Sequence, residues 1–60
     1  MKVKIGTFTD QSTVREESKA CADAYEKKHP AFKYFGMKVS RDGKKATLYA
    51  CDNFDEAMDI

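Results

Sequence analysis

Apolar and polar residues alternate along "KVKIGTFT", residues 2 to 9, with Val3, Ile5 and Thr7 on one side and Lys2, Lys4, Gly6 and Phe8 on the other. A period of two belongs to a half-buried strand, so this stretch is read as the first strand. After a polar cluster between Thr9 and Thr13 the period changes. Val14, Ser18, Cys21 and Tyr25 line one helical stripe flanked by Ala22 and Ala24, a narrow face of small residues that can lie close to a sheet. Thr13 stands three before Glu16, the spacing at which two side chains can satisfy each other's free backbone donors, which predicts a helix start. "KKHP" then supplies cations for the negative helix end and a proline that prevents continuation, ending the helix near Lys28.

Alternation returns in "FKYFGMKVSRDGKKATLYACD", residues 32 to 52, on both sides of Asp42-Gly43. These two residues tolerate the positive φ of a type I′ turn and predict a hairpin. Counting outward, Arg41 faces Lys44, and the pairs Val39 with Ala46, Met37 with Leu48 and Phe35 with Ala50 fall on one side. All six are apolar, so that side is the core. The other side pairs Ser40 with Lys45, Lys38 with Thr47, Gly36 with Tyr49, and Tyr34 with Cys51. A glycine opposite an aromatic lets the ring lie over bare backbone. The tail "DNFDEAMDI" repeats the cap spacing at Asn53 and Glu56, with Phe54, Ala57 and Met58 on one helical face. One or two helical turns are expected to pack beside the first helix; the alternative folds them across the outer face of the sheet.

The order β-α-β-β-α makes a single α+β domain over residues 1–60, with a body at 1–51 and a short acidic helix or tail at 52–60. Strand one runs parallel to strand two, and crossover rules allow strand three to lie between them. This architecture resembles a ferredoxin-like β-α-β-β-α-β fold lacking its last strand. The resemblance implies an unpaired sheet edge where that strand would lie, open to a partner chain or to a second copy. It carries no motif and implies no activity.

Sixty residues are near the lower limit for a self-sufficient core, burying roughly 60% of what the unfolded chain exposes. With 42% hydrophobic and 35% charged residues, the composition is that of a folded domain rather than a disordered one. Formal charge is only +1, but residues 1–50 carry eleven basic and six acidic side chains whereas 51–60 carry four acids and no base. No apolar run approaches the ~18 residues of a membrane span, and the N-terminus has no signal-like stretch, so the expected compartment is the cytoplasm. Cys21 points into the core and Cys51 to the far side of the sheet, which predicts two free thiols.

The outer sheet face collects Lys2, Lys4, Phe8, Phe32, Tyr34, Lys38, Lys45, Thr47 and Tyr49. Aromatics among lysines on an exposed sheet form the pattern of a single-strand nucleic-acid platform, where rings stack on bases and ammonium groups meet phosphates. RNA-recognition-motif domains use that face, but "KKATLYACD" lacks their glycine-aromatic run in strand three, and no family residue carries over. The plainer reading is that Tyr and Phe favour strands and pair across them, with lysines keeping the face soluble.

Enzymatic and metal readings find little support. His29 lies at a helix end before a proline, where it reads as a C-terminal cation; Cys51 with His29 as its base has no orienting group or positive environment; and "DNFDEAMD" lacks the glycine and closing glutamate of a calcium loop. No catalytic residue, metal or cofactor is assigned. The expected function is a stand-alone protein-binding regulator or inhibitor docking on a larger partner. By analogy with other compact domains it would be a phage-encoded inhibitor of a host nucleic-acid enzyme or CRISPR effector. The expected contacts are Phe8, Tyr34 and Tyr49 as anchors, with Lys2, Lys4, Lys38 and Lys45 as rim and steering charges. Single-stranded RNA or DNA is the alternative partner, and homodimerisation through the free edge a third.

Overall fold

The computed structural model describes residues 1–60 as β1 (Lys2–Phe8), α1 (Val14–Lys28), β2 (Tyr34–Val39), β3 (Ala46–Cys51) and α2 (Phe54–Met58). The three strands form one antiparallel-paired sheet in the order β1-β3-β2, so β3 is central and β1 and β2 are both edges. α1 packs chiefly on β1 and β3, α2 on β2 and β3. The two helices lie on opposite faces. A Cβ built on Gly6 would meet Cys21 of α1, and one built on Gly36 would meet Ala57 and Ile60, while Gly6 and Gly36 belong to opposite faces by register. The ferredoxin-like likeness is therefore not confirmed, and the tail does not pack beside α1.

Burial follows from this layering. Ala46, Leu48, Ala50 and Cys51 are the buried residues, all on β3, the one strand with neighbours on both edges and a helix over each face.

The β2–β3 register is the one read from alternation: Phe35 opposes Ala50, Met37 opposes Leu48, Val39 opposes Ala46, and Gly36 opposes Tyr49. The turn that sets it differs. Gly43 alone has positive φ (74°), and its N–H donates to Ser40 O at 2.9 Å. Instead of entering the left-handed region, Asp42 accepts hydrogen bonds from Ser40 Oγ at 2.6 Å and Lys44 N at 3.0 Å, which hold its carboxyl below the ordinary range. A local side-chain bond of this kind competes with the backbone geometry of a two-residue turn. Ser40 N still donates to Lys45 O at 2.7 Å, so the register survives the longer loop.

β1 departs from simple alternation. Lys2, Val3 and Lys4 oppose Cys51, Ala50 and Tyr49, but Gly6, Thr7 and Phe8 oppose Leu48, Thr47 and Ala46, leaving Ile5 as the extra residue of a bulge. One inserted residue exchanges the faces of everything beyond it. Gly6 and Phe8 thus join the α1 face and Thr7 the other. Gly6 needs to be small there, since its added Cβ would lie 3.0 Å from Phe8 Cζ and 3.3 Å from Cys21 Sγ.

The helix ends show how local signals fare. α2 has the expected cap: Asn53 Oδ1 accepts from Glu56 N at 2.8 Å and Asn53 Nδ2 donates to Glu56 Oε1 at 2.8 Å. α1 stops at Lys28 as expected, but Thr13 makes no cap bond, its hydroxyl donating to Glu17 Oε1 at 3.1 Å instead. Asp10 organises this entry, accepting from Ser12 N at 3.0 Å and Ser12 Oγ at 2.7 Å. Beyond α1, Phe32 packs edge-on against Tyr25 at 5.9 Å and so belongs to the helix end rather than the outer face. No helix is long and apolar enough to cross a membrane.

Candidate functional site

The residues expected to form one contact surface are divided between two faces. Lys2, Lys4, Tyr34, Lys38 and Tyr49 belong by register to the face that α2 crosses. Tyr34 meets Phe54 edge-on at 6.0 Å, and Lys2 Nζ lies 5.2 Å from the centroid of the Tyr49 ring. The atoms nearest to Gly36 on that side are Ile60 and the Ala57 carbonyl, so its missing side chain makes room for the tail. The glycine serves α2 more directly than it serves the Tyr49 ring opposite.

α2 is also tied to the chain start. The Met1 amine donates to Asp52 Oδ1 at 2.6 Å and to Glu56 Oε1. These bonds, that to Asp52 first, raise the amine above its ordinary range, and the amine is the leading cause holding both carboxyls below theirs. All three groups are solvent-exposed, where such pairs contribute little and are screened by salt. Cys51, on the α2 face of β3, has no exposed surface, and burial pushes its thiol up, with Glu56 adding to the shift.

Both thiols are free, and they differ in access. Cys21 is half-buried beside Ala24, Tyr25 and Lys28, its thiol donating to Ile5 O at 3.5 Å. A disulfide-exchange reagent is expected to modify Cys21 first and Cys51 at least about ten-fold more slowly, because the thiolate is the reactive form and access limits it. Cys21→Ser should remove the fast phase; equal rates at both thiols would contradict the burial of Cys51.

The opposite face is covered only in part. With α1 over β1 and β3, the Val39 end of β2 is left open on that side: Met37 is 37% and Val39 57% exposed, while Phe35 is half-buried. With Phe8, Val14 and Ala46, Met37 and Val39 line a groove of about 210 Å³ that runs toward the hairpin and is bordered by Asp10, Gln11, Lys44 and Lys45. Of the expected contact residues, Phe8 and Lys45 come together here, while the other five lie away from it. Val14, Met37 and Val39 were expected to be core. The width of the α1 stripe could have revealed otherwise, since one helix with a narrow face of small residues cannot cover three strands.

No three His, Cys, Asp or Glu side chains come together as a metal ion would need. The chain matches no protein-family model, no curated protein and no solved structure.

Proposed function

We propose that this protein is a docking module, a regulator or inhibitor that acts by occupying the surface of a larger protein through the open half of its α1 face. The observation that carries the reading is the exposure of Met37 and Val39 in the groove they line with Phe8 and Val14. Contiguous exposed apolar surface rimmed by polar groups is the usual mark of a protein contact. At about 210 Å³ the groove is smaller than the ~300–1,000 Å³ of small-molecule sites and has room for one or two inserted side chains. Lys44 and Lys45 on its border would steer an acidic partner and supply a polar rim.

The nucleic-acid alternative draws less support from this geometry. Its platform would lie on the α2 face, where Phe54 takes the edge of Tyr34 and Ile60 covers Gly36. Asp52, Asp55, Glu56 and Asp59 bring carboxylates to the same region, which repel phosphates.

Affinity capture from the source cell tests the reading. A partner retained by the wild type should be retained by Lys4→Glu on the far face and reduced at least about ten-fold by Val39→Glu, a loss typical of one interface anchor. Val39 is exposed enough that its replacement should leave the thermal transition nearly unchanged. The opposite ranking of the two variants would refute the reading, as would micromolar binding to single-stranded RNA or DNA that weakens steeply with salt.

A further inference from the structure

The two sheet edges are not equally protected. β1 is interrupted by the bulge at Ile5 and carries Lys2 and Lys4, features that discourage edge pairing. β2 runs without irregularity from Tyr34 to Val39 and has one charged residue, Lys38. Because Ser40 and Lys45 are a hydrogen-bonded pair, alternation assigns the backbone groups of Lys38, Gly36 and Tyr34 to β3. The N–H and C=O groups of Phe35, Met37 and Val39 point outward, with no strand to receive them.

We propose that two copies of this chain join through their β2 edges, antiparallel about a two-fold axis at Met37, into one six-stranded sheet. In this register Met37 opposes the partner's Met37 and Phe35 opposes the partner's Val39, so three outward-facing residues on each side meet apolar counterparts. All of them lie on the α1 face. On the α2 face Gly36 opposes the partner's Lys38 as a non-hydrogen-bonded pair, with Cα atoms about 4.5 Å apart. That placement sets a cation beside the tail packed over Gly36.

Charge selects a second copy over an unrelated strand. Residues 52–60 carry four acids and no base, whereas residues 38–45 carry Lys38, Arg41, Lys44 and Lys45 against Asp42 alone. α2 packs near the Tyr34–Gly36 end of β2 and the hairpin loop follows its Val39 end. An antiparallel two-fold pairing brings the acidic end of each copy to the basic end of the other, and symmetry makes the contact twice. A formal charge of +1 per chain leaves little long-range repulsion to overcome. Association would also cover apolar surface that one chain cannot, since the buried residues of the single copy are confined to β3.

Met37 and Val39 line the groove as well as the β2 edge, so a second copy and a docked protein would share part of the same apolar strip, while Phe8 and Val14 lie beyond the β2 seam. Sedimentation of the full chain between about 10 µM and 1 mM should show a mass rising toward twice 6.8 kDa, and falling back as salt increases from about 0.05 to 0.5 M. Met37→Lys opposes two like charges on the axis and should hold the protein at the single-chain mass. Arg41→Glu combined with Lys44→Glu, both at exposed loop positions, should weaken association at least about ten-fold without lowering the transition of the dilute protein. Hydrogen exchange should slow with concentration at the amides of Phe35, Met37 and Val39. A single-chain mass at 1 mM, or a dimer indifferent to Met37→Lys, overturns the proposal. If partner capture persists in that case, docking stands without the dimer; a dimer with no captured partner has the reverse meaning.

Discussion

Leu48→Ala is expected to leave the chain without a cooperative thermal transition at 37 °C. Leu48 is the largest apolar residue among those buried, 4% exposed, and lies at the middle of the central strand between Gly6 on one edge and Met37 on the other. Truncating a buried leucine costs about 2–5 kcal/mol, part of it lost transfer energy and part the cavity left behind. A domain of this length has a total stability of about 3–9 kcal/mol. The loss is thus comparable with the whole, and neither neighbour can repair it. Gly6 has no side chain, and Met37, on an open edge, gains nothing by leaning toward a void that water can enter. Circular dichroism against temperature would check this. A variant that melts within a few degrees of the wild type would mean that the core does not centre on β3.

Gly36→Val should lower the midpoint by about 10 °C and make Cys51 at least about ten-fold more reactive toward a thiol reagent. A Cβ at this position would lie 2.6 Å from Ile60 Cδ1, 3.2 Å from Ile60 Cβ and 3.1 Å from the Ala57 carbonyl. The first clash could be relieved by rotating a side chain; the carbonyl belongs to the backbone of α2's last turn and moves only if the helix moves. Overpacking of this kind costs about 1–3 kcal/mol. Valine's gain over glycine in a strand returns about 0.5–1 kcal/mol. The remaining loss falls on α2 docking, and each kcal/mol is about 4–8 °C in a domain this small. Unchanged Cys51 reactivity together with a lowered midpoint would show that the tail is not what shields that thiol.

Legibility varied with the range of the interaction. Three apolar hairpin pairs, Phe35–Ala50, Met37–Leu48 and Val39–Ala46, follow from period-two alternation across a turn, and the structure has all three. The Asn53–Glu56 cap and the end of α1 at Lys28 are equally local. Strict alternation carried through Gly6 puts Phe8 on the outer face, whereas the bulge at Ile5 turns it to the α1 face; a glycine inside a strand is a known sign of a bulge or close approach. Thr13 stands at the start of α1 without a side-chain cap bond because its hydroxyl donates to the Glu17 carboxylate, one residue beyond the expected partner. Coverage of the α1 face is a different matter. Alternation marks Met37 and Val39 as apolar-facing, but it cannot say whether anything covers them.

The amino-acid order alone was enough to specify the elements, the hairpin pairing and the number of free thiols, because each rests on contacts between residues near in sequence or on the two-residue period of a strand. Folding in three dimensions settled which face received α2, where β1 shifts by one residue, and which apolar strip stays open. Those outcomes depend on fit between layers: Ile60 needs the bare backbone of Gly36, Cys21 and Phe8 need the bare backbone of Gly6, and α1 packs chiefly on β1 and β3. No periodicity along the chain encodes such a fit.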